Sequence, residues 1–477
     1  MNEMKKLYIV MMLVLTGTMA IAQTSVWNGG RQMWTRGEGT ESNPFLIESA
    51  ENLAYLAYAV NKGYDMLGVH FLLTTDIDLN GSEDQQWVPI GLGSKYGYSE
   101  DGCDRGNPST YGEFYPFSRF KGHFDGGEHS ISNLYINQEN GSNLGLFGIV
   151  YVENEENLTV IENVFVISGY IRGGGIRGGI VGRAFGANNG TVLISRCWNG
   201  ATIEALEDTE GDCGGIVGQS KAKLKIQNCY NIGNVSGFSA GGILGDGNGE
   251  IEECYNKGDI TGTYAGGIFG LSIQGRVTIN NCYNFGDVVA NTDFGSAFGI
   301  VGPAAGGIAG CHIRGTAAIT NCYNVGAVSS TQEVGCILAY GPETTLENNY
   351  YINNCDAGGE GTPQTEEVMQ SQAFVDLLNG QNEELVWALD VNHTNDGFPI
   401  LTTVDLSVSE ITEATFNVYP NPAQGRFTVE GIGRMTVSNL LGQVVLVKEI
   451  DGQTIVVLPK GMYFVKLGNE TRKIVVE

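Results

Sequence analysis

Two aspartates at matching places in consecutive repeats come nearest, by type and spacing, to an active site. Asp259 and Asp287 each follow a glycine in successive copies of one motif. Hydrolysis of a glycosidic bond uses two carboxyl groups roughly 5–10 Å apart, and neighbouring coils of a repeat structure can supply that separation. Other copies hold Asn234 and Ala327 at this position, so a turn that favours Asp or Asn explains the pair more simply. We therefore predict no catalytic residue, and a polysaccharide hydrolase or lyase stays the alternative.

An acidic segment, residues 204–212, contains oxygen ligands of the kind that Ca²⁺ prefers. Its candidate ligands are Glu207, Asp208, Glu210 and Asp212. The sequence has no EF-hand loop and no tandem glycine-rich calcium repeat, and a solvated loop explains the same composition. We therefore expect no metal site and no cofactor, with loose Ca²⁺ binding as the alternative.

A long insertion, residues 91–116, carries aromatic side chains suited to binding sugars or proteins. The candidate binding residues are Tyr96, Tyr98, Tyr111, Phe114 and Tyr115. A disordered or self-packed loop is the other interpretation of this composition.

A repeat supplies the elements that must position these residues. Five copies of Ile-x-x-Cys-aromatic-Asn lie 25 to 40 residues apart and alternate with Gly-Gly-Ile-x-Gly motifs. This length is too short for a propeller blade and fits one coil of a parallel β-helix, whose strands pair with their copies about 4.8 Å away. The cysteines would form an inward-facing structural ladder of free thiols, since five aligned thiols cannot all pair; disulfides between coils are the alternative. The ladder is Cys197, Cys229, Cys254, Cys282 and Cys322.

These patterns predict an all-β protein with two parts. The first is a right-handed parallel β-helix, or solenoid, with short capping helices, and the second is a small C-terminal antiparallel β-sandwich. The predicted boundaries are a signal peptide at 1–22, an N-terminal cap and first coils at 23–149, the repeats at 150–355, a C-terminal cap of the solenoid at 356–402, a linker at 403–415 and the sandwich at 416–477.

Charge and targeting signals limit the partners and the location. The chain of 477 residues has a formal net charge of −27, which repels phosphate backbones, so we expect no nucleic-acid partner. Lys5 and Lys6 precede a short apolar run, and Ala20-Ile21-Ala22 offers a cleavage site typical of secretion. No later stretch is apolar enough for a transmembrane helix, so none is expected in the mature chain.

Several motifs resemble those of bacterial surface proteins with GLUG-type repeats. The matching segments are 37–47 (GEGTESNPFLI), 75–79 (TDIDL), 87–91 (WVPIG), 120–129 (FKGHFDGGEH) and 145–148 (GLFG), followed by the coils with Gly-Gly-Ile-x-Gly and Cys-Tyr-Asn. This resemblance covers residues 24–402 and implies an adhesin-like solenoid. Because the family is adhesin-like, we predict a glycan or an extracellular or host protein as the ligand.

The C-terminal residues resemble the sorting domain of type IX secretion cargo. The motif residues are Pro420, Asn421, Pro422, Gly461 and Lys473, within Tyr-Pro-Asn-Pro, Gly-Met-Tyr-Phe-Val and Lys-Ile-Val-Val-Glu. The resemblance implies Sec-dependent export, recognition by the type IX machinery, and a product secreted from, or attached to, the outer surface of a Gram-negative bacterium.

Overall fold

The chain divides into two compact units, Met1–Val404 and Asp405–Glu477. The structure is a computed structural model that describes residues 24–92, 118–187, 190–206, 211–291, 302–352, 360–380, 382, 384–403, 417–419, 423, 425–439, 444–467 and 470–476. No helix in these described ranges is long and apolar enough to cross a membrane.

Four stacks of short strands build the first unit, and we number them sheets I to IV in the order in which the chain passes through them. Within each sheet every strand pairs in parallel with its copy in the next coil. This arrangement confirms the predicted parallel β-helix.

The bounds of the strands follow the repeat. Sheet I contains Phe45–Ile47, His70–Leu73, His123–Asp125, Leu158–Glu162, Thr191–Ser195, Lys223–Gln227, Gly249–Glu252, Gly275–Asn280, Gly315–Thr320 and Thr344–Glu347. Sheet II contains Ser25–Val26, Ile77–Asp78, Ser130–Ser132, Phe165–Val166, Trp198–Asn199, Tyr230–Asn231, Tyr255–Asn256, Tyr283–Asn284, Tyr323–Asn324, Tyr350–Ile352 and Thr362–Gln364. Sheet III contains Leu134–Gln138, Gly169–Gly173, Arg177–Gly178, Thr202–Ala205, Asp212–Gly214, Val235–Gly241, Ile260–Gly266, Val288–Ala290, Ala304–Gly306, Val328–Ser330 and Glu333–Gly335. Sheet IV contains Phe147–Val152, Val181–Gly186, Val217–Lys221, Leu244–Gly247, Phe269–Ser272, Ala309–His312 and Leu338–Tyr340.

The corner between sheets I and II needs a left-handed residue. The residue before each ladder cysteine has a positive φ, for example 55° at Asn228 and 52° at Asn281. Asn tolerates this conformation better than other side chains with a Cβ, which explains why it recurs before the cysteine. Arg196 and Glu253 adopt the same conformation because the stacked coils on either side fix the turn.

The core of the first unit is a column of equal residues from successive coils. Ile194, Ile226, Ile251 and Ile279 pair in register and are almost fully buried. A helix at Ala50–Asn61 packs its apolar face on the first coils; it begins after Ser49, whose hydroxyl accepts a hydrogen bond from the Asn52 amide.

The segment after the last coil runs along the side of the solenoid. Its helices are Glu366–Met369 and Gln372–Asn379, and its short antiparallel hairpin pairs Trp387–Ala388 with Ile400–Leu401. We expected Trp387 and Phe398 to plug the last coil. They pack instead on the outer face of sheet II, because the row of tyrosines there offers a larger apolar surface.

The second unit is a five-stranded antiparallel sheet. Its strands are Asn417–Tyr419, Arg426–Asn439, Val444–Val457, Gly461–Leu467 and Glu470–Val476. Its two longest strands, Arg426–Asn439 and Val444–Val457, have 14 residues each. The first half of Arg426–Asn439 also pairs with Asn417–Tyr419 and the second half with Gly461–Leu467, so one strand supports two neighbours.

Candidate functional site

The two candidate catalytic aspartates are consecutive rungs of an exposed corner. The Asp259 backbone amide donates to Asn234 Oδ1 at 3.0 Å, and the Asp287 amide donates to Asp259 Oδ1 at 3.1 Å. The Ala327 amide in turn donates to Asp287 Oδ1 at 3.0 Å. Each side-chain oxygen accepts a hydrogen bond from the next coil, which is a structural use of Asp and Asn.

The ladder cysteines stack in the interior. The backbone amide of each of the first four donates to the sulfur of the next, at 3.4 Å for the Cys229–Cys254 and Cys254–Cys282 steps, and the Cys322 amide donates to Asn349 Oδ1. All five are buried and free, and burial raises the pKa of Cys254 well above its usual range. Cys336, outside the ladder, is disulfide-bonded. The column of buried thiols therefore packs the core with small apolar side chains.

Two further columns flank the cysteines. Asn231 Nδ2 donates to Asn256 Oδ1, and Asn256 Nδ2 donates to Asn284 Oδ1, each at 2.8 Å. On the outer face of sheet II the rings of Tyr230 and Tyr255 stack with centroids 4.7 Å apart. The Tyr283 ring stacks on the other side of Tyr255, and its centroid lies 6.0 Å from that of the Trp387 ring. The segment after the last coil therefore covers part of this aromatic row.

Several candidates lie outside the described residues. These are Tyr96, Tyr98, Tyr111, Phe114, Tyr115, Glu207, Asp208, Glu210, Pro420, Asn421 and Pro422. Within the described residues, Asp212 opens the sheet III strand Asp212–Gly214, and Gly461 and Lys473 lie in the paired strands of the second unit. No group of three metal-ligating side chains occurs in the part of the chain that the structure describes.

A groove marks the corner where sheet IV turns into sheet I, and we call it the corner groove. Two adjacent coils make this turn with a single residue, Ala222 in one and Asn248 in the next. The coils on either side use longer connections, so the two short turns form the floor. The groove has a volume of about 810 Å³, and its polar lining includes Gln219, Lys221, Lys223, Asp246, Asn248 and Gln274.

Glycine is required on the groove floor. Gly247 has a φ of +113° and Gly275 a φ of +140°, both in the left-handed region. A Cβ on Gly247 would also collide with the Ser220 carbonyl oxygen of the preceding coil. These glycines keep the turns tight and the floor open.

A half-buried polar cluster extends from the groove toward sheet III. Gln219 Nε2 donates to Asp212 Oδ2 at 2.7 Å and to Asp246 Oδ2 at 3.0 Å, so one amide holds two carboxylates together. Arg183 pairs in register with Gln219 and is 1% exposed. This row of sheet IV therefore places a guanidinium, an amide and a carboxyl group in successive coils.

Burial sets the protonation of this cluster. Desolvation raises the pKa of Asp246 to about 6 and raises that of Asp212 well above its usual range. Desolvation also lowers the pKa of Arg183 to about 10, while the two carboxylates oppose that change. The pair can hold a proton near neutral pH, as acid–base sites do, although structural networks share this property.

Two aromatic rings lie beside the polar cluster, and we call them the aromatic platform. Tyr151 and Phe185 stack with centroids 5.7 Å apart and are half-buried. Phe185 pairs in register with Lys221 of the groove, and the Arg183 guanidinium lies 5.6 Å from its ring. Arg119 lies 4.5 Å over the Tyr151 ring. The corner thus combines flat apolar rings with polar and cationic groups.

Sequence reasoning missed this corner. Asp246 sits within a Gly-Asp-Gly segment that looks like any other turn, and 33 intervening residues separate it from Asp212. The signal was the unequal length of the turns between the Gly-Gly-Ile-x-Gly motif and the following isoleucine strand. This difference in turn length can be recognised only when neighbouring coils are aligned in register.

Comparisons with known proteins give a family match for the C-terminal residues and partial matches to two other proteins. Residues 417–477 match the family described as a secretion system C-terminal sorting domain. A protein of Evansella cellulosilytica described as "Putative Gly-rich membrane protein" is 31% identical over 171 residues, which cover 35% of this chain and 16% of that protein. Halomucin of Haloquadratum walsbyi is 28% identical over 214 residues, which cover 44% of this chain and 2% of that protein.

This chain spans only a small part of either relative's length, and no solved structure matches it. The C-terminal match makes this a secreted or cell-surface protein that carries a type IX sorting domain on its second unit.

Proposed function

We propose that this protein is a non-catalytic, adhesin-like solenoid that binds a glycan or an extracellular or host protein, with a glycan as the favoured ligand. The observation that carries the proposal is the corner groove beside the aromatic platform. Recognition sites combine a concave polar surface with a few aromatic side chains that supply contact area. Tyr151 and Phe185 supply the rings, and Gln219, Asn248 and Gln274 line the groove with amides.

The route to the surface is part of the same proposal. The N-terminal signal peptide directs export across the inner membrane, and the type IX machinery recognises the second unit. The mature solenoid is then released or attached at the outer surface of a Gram-negative cell. The GLUG-type motifs and the two glycine-rich or mucin-named relatives support a role in display at the surface.

Binding to an array of glycans and extracellular proteins tests the ligand. The purified mature chain should bind a subset of glycans, and Phe185→Ala should weaken that binding at least about tenfold through lost contact area. Tyr64→Ala, a change at an exposed tyrosine elsewhere, is the matched control and should bind normally. Equal binding by the Phe185→Ala and Tyr64→Ala variants would contradict the role of the aromatic platform.

One observation favours a second candidate, a polysaccharide-active enzyme. Asp212 and Asp246 share one hydrogen-bond donor, and Asp246 borders the groove with a raised pKa. This pair suits acid–base chemistry better than the exposed Asp259 and Asp287. The enzyme would release reducing ends or unsaturated uronates, and Asp246→Asn would abolish release while Asp287→Asn would not. Intact polysaccharide after prolonged incubation with the wild-type protein would leave binding as the function.

A further inference from the structure

We infer that the corner groove takes an anionic polysaccharide, a chain whose sugars carry carboxylate or sulfate groups. The inference rests on the proposed glycan-binding function and names its ligand class. Lys221 and Lys223 line the groove, and both are exposed.

The position of these lysines is unusual for this chain. Acidic residues outnumber basic ones by 53 to 26, so a surface groove would ordinarily be acidic. Lys225, two residues beyond Lys223, follows the ordinary pattern, since its ammonium lies 3.2 Å from Glu252. Lys223 has no ion pair or side-chain hydrogen bond with another residue in the described ranges. Its charge is therefore available to a ligand.

The Asp246 carboxyl group in the groove does not cancel the preference for an anionic ligand. Asp246 Oδ2 accepts the Gln219 amide, and Lys221 acts electrostatically on the same carboxyl group. Arg183, in the same row of sheet IV, further compensates Asp212 and Asp246. The two acids are balanced within the cluster, and the exposed rim of the groove stays cationic at Lys223.

The aromatic platform extends the cationic rim to a sugar-sized surface. Phe185 precedes Lys221 by one coil in the same outward row, and Arg119 lies over the Tyr151 ring. A sugar ring can lie on the platform while its acidic substituent meets a lysine, because the two are neighbours across one strand spacing of about 4.8 Å.

Equilibrium binding of the full mature chain to matched polymers tests the inference. The probes are polygalacturonate, its fully methyl-esterified neutral form, dextran sulfate, neutral dextran and double-stranded DNA. We expect binding to at least one anionic polysaccharide, at least about tenfold weaker binding to its neutral partner, and weakening by added salt. Polygalacturonate and dextran sulfate distinguish carboxylate from sulfate as the anionic group.

Charge-reversal variants test whether the anionic polymer binds in the corner groove. The double change Lys221→Glu and Lys223→Glu should weaken anionic binding at least about tenfold and remove most of its salt dependence. Arg314→Glu is the matched control: Arg314 is exposed, lies on a neighbouring coil and does not line the groove, so it should bind as the wild type does. Unchanged circular dichroism spectra and melting temperatures of both variants establish that they are folded.

The outcomes separate this inference from the proposed function. Equal binding of neutral and charged polymers, still lost in Phe185→Ala, would overturn the anionic preference and leave glycan binding intact. Binding of DNA as strong as that of the polysaccharides would also overturn the inference. Binding of no glycan at all would overturn both. Equal weakening by Arg314→Glu would show an unspecific charge effect and overturn the assignment to the groove.

Discussion

Single residues in this solenoid are governed by what the neighbouring coil places next to them. Asp246 is a turn residue in sequence, yet in the fold it is half-buried beside Gln219 and shares that amide with Asp212. Its ordinary pKa is 3.8, and the folded protein raises it to about 6 by desolvation. An acid that is harder to ionise in the folded state stabilises the fold at low pH and costs stability at neutral pH.

This difference predicts a pH-dependent gain from Asp246→Asn. The Asp246 carboxyl group stabilises the folded protein below about pH 4, and this stabilisation is lost as the pH rises through about 6. An amide at the same position stays neutral over this range. The free energy of unfolding should rise by on the order of 2 kcal/mol at pH 7 and change little at pH 4. Denaturant unfolding at both pH values measures this. The exposed Asp287→Asn control should show no gain at either pH, and a loss at pH 7 in Asp246→Asn would contradict the account.

A histidine pair in the first coils predicts the opposite pH trend. His70 and His123 pair in register with ring centroids 4.7 Å apart, and His123 Nε2 lies 2.5 Å from Glu162 Oε1. Burial, and then the charge of His123, lowers the pKa of His70 from 6.5, although Glu41 opposes this. The stability that neutral His70 provides is therefore lost as the pH falls from about 6.5 through the lowered value.

Replacing His70 should reduce this sensitivity to acid. The wild-type melting temperature minus that of His70→Gln should fall as the pH is lowered from 7.5 to 5.5, because only the wild type has a titrating side chain at position 70. Differential scanning calorimetry measures the difference. His393→Gln, in the segment after the last coil, is the control and should give a difference that does not change over this range. A difference that rises toward pH 5.5 would contradict the proposed repulsion.

At the scale of the elements, ladders of like side chains hold the coils in register. Each Asn of the internal ladder donates to the Asn of the next coil and to a backbone carbonyl of its own turn, as Asn256 does with Asn284 and Gly258. These groups are fully buried, so a missing partner leaves a donor or an acceptor unsatisfied.

Breaking one rung of the buried Asn ladder should therefore cost more stability than breaking one rung of the exposed corner. Asn256→Ala should lower the free energy of unfolding by about 2–3 kcal/mol, since it removes hydrogen bonds to two coils and leaves a small void. Asp287→Ala removes one rung of the exposed corner and should cost under about 1 kcal/mol. Denaturant unfolding of the two variants compares them directly. Equal losses would contradict the role assigned to the buried ladder.

The repeat made these ladders predictable from sequence. In every core copy the Ile, Cys, aromatic and Asn residues stand at fixed places, so stacking equal positions gives the columns without any long-range information. The parallel β-helix was confirmed for this reason. The GLUG-type assignment stays a proposal, because motif similarity alone does not identify a ligand.

Features that depend on differences between coils could not be predicted. The corner groove exists because two turns are one residue long while their neighbours are longer, and the Asp212–Asp246 pair joins residues from different sheets. The path of Trp387 and Phe398 along sheet II depends on the outward-facing tyrosine row, which forms only when the coils are stacked. The aromatic residues of the 91–116 insertion stay a prediction.

At the scale of the whole molecule, a solenoid is joined to a sorting domain. A solenoid buries its core one coil at a time, so it can present loops and grooves along its length without changing its fold. The high net negative charge keeps such a surface soluble. The second unit carries, at residues 417–477, the match to the secretion system sorting domain, which indicates a secreted or cell-surface protein.

Surface labelling of intact cells tests the central claim, that the second unit delivers the solenoid to the outside. Cells of a Gram-negative bacterium with type IX secretion would express the full chain or a chain without residues 417–477, and an antibody against the solenoid would be applied to intact cells and to the medium. We predict signal at the surface or in the medium for the full chain, and retention in the periplasm for the shortened chain. Equal signal outside the cell for both chains would contradict this account.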